Sequence, residues 1–172
     1  MNYLIEGPRN VGKSFLIRKL SEKKDLKILK TNVIDIFDKI NNPYILIGKD
    51  LPILSMLGGP QFDSILFDRG FISTLAYGEF FQRYSQTEMD VFTQYINSEK
   101  LNLTLILISG ENPNIVRKID SFDFLDSRYQ EQLKYFDKYF DKITCCKKVK
   151  FINYFDENSI DRFINLFEGE DK

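Results

Sequence analysis

Eight residues near the start of the chain combine two glycines with a lysine and a hydroxyl. The run from Gly7 to Ser14, GPRNVGKS, fits the pattern G-x-x-x-x-G-K-[ST]. Glycines let the backbone turn tightly, so that successive N–H groups can point at an anion. Lys13 can reach the β- and γ-phosphates of a nucleotide, and the Ser14 hydroxyl can ligate Mg²⁺. These residue types at this spacing predict a loop that holds nucleotide phosphates.

The residues on either side of this loop fit the same chemistry. Tyr3, Leu4 and Ile5 form a short apolar run suited to a buried parallel strand, and a helix-like apolar pattern runs from Phe15 to Leu20. A helix N-terminus after the loop would add backbone N–H groups and a favourable dipole for an anion. A glycine-rich turn that only caps a helix is the alternative, but it does not require both the full pattern and the strand before it.

A second pair of chemical groups follows an apolar segment further along the chain. Residues 64–68, SILFD, predict a buried strand that ends in the carboxylate of Asp68. A carboxylate at the C-terminal end of a parallel strand beside a phosphate loop can orient Mg²⁺ or its waters. Arg69 follows at once, and its guanidinium can bind a phosphate in a bidentate manner. An isolated Asp-Arg pair would instead be read as a surface ion pair.

Length and composition limit what else the chain could be. Its 172 residues suit one domain with a sizeable core, and the net charge of −1 argues against a broad surface for long nucleic acid. No apolar run reaches the roughly 20 residues of a membrane-spanning helix, and the chain begins with a predicted strand, so we expect a cytoplasmic protein. The two cysteines, Cys145 and Cys146, are adjacent and histidine is absent, which disfavours a disulfide or a zinc site.

Other segments predict the elements that would position these groups. Strands are expected at residues 26–30, 101–109 and 150–154, and helices at residues 33–40, 71–84, 87–99, 122–140 and 158–167, with one or two short helices within residues 44–57. Aromatic residues recur at helical spacing in two of the helices. We interpret these as core residues, namely Phe80, Phe81, Tyr84, Tyr135, Phe136, Tyr139 and Phe140.

Two motifs resemble those of thymidylate kinases. Residues 68–77, DRGFISTLAY, are similar to the D-R-[YF]-x-x-S-x-x-A-Y stretch of that family, with the aromatic residue shifted by one position. Glu6-Gly7 is similar to the E-G that opens its phosphate loop, and residues 122–140 resemble the long helix after its lid. The resemblance implies an α/β fold of the P-loop NTPase class, with a five-stranded parallel sheet and helices on both faces. It also implies a single kinase domain over residues 1–172, and dimers are common in that family.

The resemblance further implies roles for individual residues. ATP and Mg²⁺ would be the cofactors, Ser14 and Asp68 the metal-binding residues, and a small-molecule nucleotide the substrate. Residues 111–120 would form a short lid, in which Arg117 or Lys118 closes over the transferring group, with Arg128 as a second candidate. The ATP-binding residues would be Gly7, Asn10, Val11, Gly12, Lys13, Ser14 and Phe15; the catalytic residues Lys13, Asp68, Arg69 and Arg117; and the acceptor-binding residues Arg9, Arg69, Phe71, Ser73 and Tyr77.

Departures from the family pattern lie mainly where an acceptor would bind. Arg9 stands where the family commonly has a carboxylate, and Gly78 stands where it has a glutamine. The leading hypothesis is therefore phosphoryl transfer from ATP to a nucleoside monophosphate, with deoxynucleotides favoured and the base open. A nucleoside 5′-kinase would need a general base, for which Asp68 or Glu6 is the local supply. A polynucleotide 5′-kinase, a nucleotide-binding switch and a catalytically inactive relative remain alternatives.

Overall fold

A computed structural model of the chain describes residues 2–30, 65–110 and 128–167. We number the elements along these residues. The strands are β1 (Asn2–Glu6), β2 (Lys27–Lys30), β3 (Ile65–Asp68), β4 (Leu103–Gly110) and β5 (Lys147–Asn153). The helices are α1 (Lys13–Ser21), α2 (Phe71–Phe80), α3 (Gln86–Ser98), α4 (Tyr129–Lys142) and α5 (Glu157–Asn165). The helices predicted at residues 33–40 and within 44–57, and the start of the one predicted at 122–140, lie outside the described residues.

The five strands form one parallel sheet in the order β2-β3-β1-β4-β5. Strand β1 is central, with Ile5 opposite both Asp68 of β3 and Ile106 of β4. The chain adds β2 and β3 on one side of β1 and then crosses to add β4 and β5 on the other, so a topological switch point lies at the C-terminal end of β1. This arrangement confirms the predicted five-stranded parallel sheet, and it brings the ends of β1 and β3 to one edge.

Helices cover both faces of the sheet, as predicted. Alternation along β1 sends Leu4 into one core cluster, with residues of α2, α3 and α4, and sends Tyr3 and Ile5 into another, with residues of α1 and α5. The predicted core aromatics Phe80, Phe136, Tyr139 and Phe140 are buried, while Phe81, Tyr84 and Tyr135 are partly buried against the first cluster. Burial on both faces explains why β1, β3 and β4 read as nearly continuous apolar runs.

Two predicted boundaries are wrong, each for a physical reason. Helix α2 ends at Phe80 and does not continue to Tyr84, because Gln82 adopts a left-handed conformation with φ 53° and the backbone N–H of Arg83 donates to Gly78 O at 2.8 Å. Strand β5 begins at Lys147, three residues before its predicted start. It is an edge strand whose first residues are lysines, so its sequence lacks the apolar pattern of a buried strand.

The starts of two other elements differ slightly from the prediction: α3 begins at Gln86 and not at residue 87, and β4 begins at Leu103 and not at residue 101. A capping box begins α3: the backbone N–H of Glu88 donates to the Ser85 hydroxyl, and the Glu88 carboxylate accepts from the backbone N–H of Ser85. The pattern S-x-x-E that signals this start is visible in the sequence. None of the helices within the described ranges is long and apolar enough to cross a membrane.

Candidate active site

Two glycines of the loop have backbone conformations that other residues adopt only with strain. Gly7 has φ 143°, and a Cβ atom there would lie 2.1 Å from the carbonyl oxygen of Ile108 in β4. Gly12 has φ 81°, and its Cβ would lie 2.5 Å from Nδ2 of Asn153. The loop between them is therefore pressed against the ends of β4 and β5, and glycine is required at both positions.

Lys13 is the first residue of α1, and its side chain folds back into the loop. It is only 5 % exposed, and its ammonium donates to Gly7 O at 2.9 Å and to Pro8 O. Burial lowers the pKa of Lys13 well below its usual range, and the nearby Arg69 lowers it further, against the opposing charges of Asp68 and Glu6. The loop thus encloses a cation in a site of low solvent access.

The N-terminus of α1 is open to an anion. Gly12 provides no side-chain cap, and the first turn contains no acidic residue. The backbone N–H groups of a first helical turn have no acceptor within the helix, and the helix dipole favours a negative charge there. By contrast, side chains cap α3 and α5, through Ser85 and Asp156. This terminus and the enclosed Lys13 together fit the phosphates of a nucleotide.

The remaining predicted loop residues surround this terminus. Val11 is buried, while Arg9 and Asn10 are half-buried at the tip of the loop, where Asn10 has φ 62°. Ser14 is exposed in the first turn of α1, as a metal-binding hydroxyl requires. Phe15 is also exposed, and the guanidinium of Arg18 lies over its ring at 5.5 Å from the centroid.

Arg69 lies at the junction of β3 and α2, with its side chain directed at the loop. Its backbone has φ 72°, an uncommon conformation for a non-glycine residue, and its N–H donates to Ile5 O at 2.9 Å. The guanidinium Nη1 donates to Gly7 O at 3.1 Å and to the Ser73 hydroxyl at 3.2 Å. Arg69 and Lys13 therefore donate to the same carbonyl oxygen, that of Gly7.

Behind Arg69 lies the carboxylate of Glu6, a residue of the E-G motif for which the sequence suggested only one chemical role, that of a general base. Glu6 is 0 % exposed at the end of β1, and its oxygens accept from the backbone N–H of Ile72 at 3.0 Å and from the Ser73 hydroxyl at 2.5 Å. Glu6 thus satisfies the N-terminus of α2 across the sheet edge. A charged residue at the end of an otherwise apolar buried strand is the signal in the sequence that could have indicated this role.

Besides Arg69, three of the predicted acceptor-binding residues are buried. Ser73 is enclosed between Glu6 and Arg69, so it bridges these side chains and has no surface toward a substrate. Phe71 is 1 % exposed and Tyr77 is 3 % exposed, both in the core cluster beneath α2. The Tyr77 ring packs on Phe136 with centroids 5.2 Å apart. These rings are core residues in the structure and present no surface to an acceptor, contrary to the expectation that they bind it.

The end of β5 contacts the loop from the side opposite to Arg69. The side chain of Asn153 is buried; its Nδ2 donates to Val11 O at 2.9 Å and its Oδ1 accepts from the backbone N–H of Phe155 at 2.9 Å. Phe155 has φ 61°, and its ring lies 3.4 Å from the position of a Cβ at Gly12. Asn153 was not predicted, because a lone amide at a strand end carries no pattern. It braces the loop across 142 positions of sequence.

Asp68 and Ser14 are the residues that could hold Mg²⁺. Asp68 ends β3 and is half-buried, and its charge acts on Lys13. Within residues 2–30, 65–110 and 128–167, no group of three or more acidic or cysteine residues could hold a metal ion alone. Mg²⁺ usually keeps several waters and binds through one or two protein oxygens and substrate phosphates, so one hydroxyl and one carboxylate suffice.

The predicted lid is not among the described residues. Residues 111–120, with Arg117 and Lys118, lie outside them. Arg128, the other cationic candidate, is described: it donates to both carboxylate oxygens of Glu131 at 2.5 Å and lies over the Phe80 ring at 4.4 Å from the centroid. Its guanidinium is therefore held at the start of α4 by an ion pair within that helix.

Comparisons with known proteins identify the fold. No protein-family model and no curated protein matches the sequence. Among solved structures, deoxyadenosine kinase from M. mycoides with bound dATP is similar with a TM-score of 0.67 and 14 % identity, covering 98 % of this chain and 100 % of that one. YorR protein from Bacillus subtilis in complex with phosphorylated GDP is similar with a TM-score of 0.65 and 17 % identity, covering 99 % and 97 %.

A kinase of a different name, shikimate kinase, is similar as well. Shikimate kinase from Bacteroides thetaiotaomicron has a TM-score of 0.59 and 10 % identity, covering 98 % of this chain and 97 % of that one. The chain therefore has the P-loop NTPase fold shared by these three structures, as predicted. None of these three structures is a thymidylate kinase, so the finer resemblance stays a prediction.

Proposed function

We propose that the protein is a kinase that transfers the γ-phosphoryl group of ATP to the phosphate of a nucleoside monophosphate. The observation that carries the proposal is the convergence of Lys13 and Arg69 on the carbonyl oxygen of Gly7. One cation belongs to the phosphate loop and the other to the β3–α2 junction, so the two could bind the phosphates of a donor and an acceptor on either side of one point. Phosphoryl transfer depends mainly on such positioning and charge neutralisation.

On the donor side, the residues present fit ATP with Mg²⁺. The uncapped N-terminus of α1 and the loop N–H groups would hold the β- and γ-phosphates, and Lys13 would exchange the carbonyls of Gly7 and Pro8 for phosphate oxygens. Ser14 and Asp68 would hold Mg²⁺, which supplies positive charge to the phosphates. Arg9, at the loop tip, would add a further cation near the acceptor.

The hydrogen bonds of Glu6 favour a phosphate acceptor over a hydroxyl acceptor. Transfer to a 5′-hydroxyl needs a base within hydrogen-bonding distance of the attacking group, whereas an ionised phosphate oxygen needs none. Glu6 is fully buried and accepts from Ile72 and Ser73, so it is not placed to act as that base. Asp68, which is half-buried, is the carboxylate of the described site that keeps a nucleoside kinase as the second candidate.

Two of the similar structures contain a nucleotide, dATP in one and phosphorylated GDP in the other. These support a nucleotide over another small molecule as the acceptor. They do not agree on a base. The base and the sugar of the acceptor are therefore part of what the test must find.

The test is release of ADP from Mg·ATP in the presence of single acceptors. The panel contains deoxy- and ribonucleoside monophosphates, the matching nucleosides and a 5′-hydroxyl oligonucleotide. We expect one monophosphate to stimulate ADP release far above the rate without acceptor, and Lys13→Ala to abolish the stimulation. If only a nucleoside stimulates ADP release, the protein is a nucleoside kinase with Asp68 as its general base. If ATP binds but no acceptor stimulates ADP release, the kinase proposal is wrong, and the protein is a nucleotide-binding switch or a catalytically inactive relative.

A further inference from the structure

Glu6 and Ser73 form a buried pair behind Arg69 that the proposed chemistry does not itself use. We infer that Glu6, acting through Ser73, is a positioning residue that holds the Arg69 guanidinium in place for the acceptor phosphate. The inference rests on the proposed role of Arg69 in binding that phosphate. It concerns a part of the site that a substrate does not touch, since Glu6 and Ser73 are both fully buried.

The first step is the polarity of the Ser73 hydroxyl. A carboxylate can only accept, so the single hydroxyl hydrogen of Ser73 must point at Glu6, 2.5 Å away. The lone pairs of the same oxygen are then left for the Nη1–H of Arg69, 3.2 Å away. Glu6 thereby decides that Ser73 presents an acceptor to Arg69. A neutral amide at position 6 would not impose this direction.

The second step is the backbone at the β3–α2 junction. Arg69 has φ 72°, a conformation that costs a non-glycine residue free energy unless its surroundings enforce it. Contacts on either side of Arg69 enforce it: its own N–H donates to Ile5 O, and the N–H of Ile72 donates to Glu6. Glu6 thus fixes both the start of α2 and, through Ser73, the direction of the side chain. A strained arginine held from both ends is pre-organised for an anion.

The third step is charge. Glu6 precedes Gly7, whose carbonyl oxygen accepts from both Lys13 and Arg69, so a fully buried carboxylate lies next in the chain to the point where the two cations meet. Asp68, the residue before Arg69, adds a second carboxylate at the end of β3. The buried carboxylate of Glu6 therefore has two roles: it caps helix α2, and it offsets the repulsion between the two cations in the absence of a phosphate.

The first experiment separates positioning from folding by steady-state kinetics of the full chain with the acceptor found by the panel. Ser73→Ala removes the bridge, and Glu6→Gln keeps an acceptor for Ile72 but breaks the enforced polarity. Thr74→Val is the matched control, because it removes a buried hydroxyl one residue away that donates only to Gly70 O at 3.4 Å. A merely structural loss would lower kcat and leave both KM values unchanged.

We expect Ser73→Ala and Glu6→Gln to raise the KM for the acceptor by about tenfold or more, as for the loss of a hydrogen bond to a charged group. The KM for ATP in Ser73→Ala, and both KM values in Thr74→Val, should stay within about twofold of the unmodified chain. If the acceptor KM of both variants is unchanged while Arg69→Ala raises it, the positioning role is wrong and the proposed function stands. If Arg69→Ala also leaves it unchanged, the phosphate-binding role of Arg69 in the proposed function is wrong.

A second measurement does not depend on turnover. In the ¹⁵N-labelled protein, the Arg69 guanidinium signal, identified by its loss in Arg69→Lys, reports whether rotation about the Cζ–Nη bonds is hindered. We expect separate, slowly exchanging Nη–H signals in the unmodified chain and in Thr74→Val, and faster exchange in Ser73→Ala and Glu6→Gln, in which the contact of Nη1 with Ser73 is lost or weakened while that with Gly7 O is kept. An exchange rate that neither of the latter substitutions changes would overturn the inference, whether or not an acceptor is known.

Discussion

Lys13 and Arg69 come from distant parts of the sequence and donate to one carbonyl oxygen. Two positive charges this close repel each other, and the lowered pKa of Lys13 reflects its burial first and this repulsion second. The carboxylates of Glu6 and Asp68 offset part of it. A phosphate between the two cations would offset more, so at the scale of single residues the site is arranged to gain from binding an anion.

This arrangement predicts that nucleotide binding takes up a proton at alkaline pH. Burial lowers the pKa of Lys13, whereas a bound phosphate favours the charged form and raises it. Between these two values the protein without nucleotide holds Lys13 partly neutral and the complex holds it charged. The affinity for ATP should therefore fall as pH rises through this window, whose lower end lies below the usual lysine pKa of about 10.4. Titration calorimetry in buffers of different ionisation enthalpy measures the uptake directly.

Arg69→Ala provides the matched comparison for this experiment. Arg69 is the second cause of the lowered pKa, so its removal should move the window of proton uptake toward higher pH without abolishing it. The γ-phosphate of ATP is fully ionised above about pH 8 and does not interfere there. Binding with no proton uptake at any pH up to about 10 would mean that Lys13 keeps an ordinary pKa or does not contact the phosphates.

At the residue scale, local patterns were informative and long-range contacts were not. The loop residues, Asp68 and Arg69 could be predicted because each lies in a run whose spacing has a chemical reason. The contacts of Glu6 with Ile72 and of Asn153 with Val11 join residues 66 and 142 positions apart. Nothing near either residue in the sequence indicates its partner, so its function as a brace depends on the fold.

Among the elements, α2 shows how one small residue sets a packing contact. A Cβ atom at Gly78 would lie 2.3 Å from Cδ2 of Tyr84, whose ring folds back onto the helix after the turn at Gln82. Gly78 therefore has a packing role that is sufficient to explain its departure from the glutamine of the resembled family. An acceptor-related change at this position is not needed.

Gly78→Ala should reverse its effect on stability when Tyr84 is truncated. In the unmodified chain we expect a loss of about 1–3 kcal/mol in the free energy of unfolding, because the ring must move. In a Tyr84→Ala background the clash is gone, and alanine should stabilise the helix by about 0.5–1 kcal/mol relative to glycine. Urea denaturation of the four chains measures both values. Equal effects of Gly78→Ala in the two backgrounds would show that Tyr84 does not pack on Gly78.

Element types were predictable where sequence periodicity and burial agree, and boundaries were less so. The prediction that α2 runs to Tyr84 followed an aromatic stripe at helical spacing, but the backbone turns at Gln82 and the stripe continues through a tertiary contact. The predicted start of β5 was too late because polar residues at the start of the strand concealed it. Its lysines at positions 147, 148 and 150 are tolerated at a sheet edge, where one side of the strand faces solvent.

The whole sheet determines why residues so distant in sequence share one site. The resemblance to thymidylate kinases implied a five-stranded parallel sheet, and the alternation of apolar strands with helical segments is typical of one. Its order, with β1 between β3 and β4, is what places the phosphate loop, Asp68 and Arg69 at one switch point. The single domain over residues 1–172 and a homodimer stay predictions, the latter open to light scattering.

The last prediction concerns the stability of the whole molecule, because the proposed ligands bind across three strand ends. Mg·ATP at about one hundred times its Kd should add roughly 2.7 kcal/mol to the free energy of unfolding and raise the Tm by about 5–10 °C for a chain of this size. A monophosphate alone should raise it separately. Lys13→Ala should remove the first shift and keep the second, and Arg69→Ala should do the reverse, whereas Thr74→Val should keep both. A single substitution that removes both shifts would mean that donor and acceptor phosphates share one binding site, because two separate sites must respond separately to the loss of their own cation.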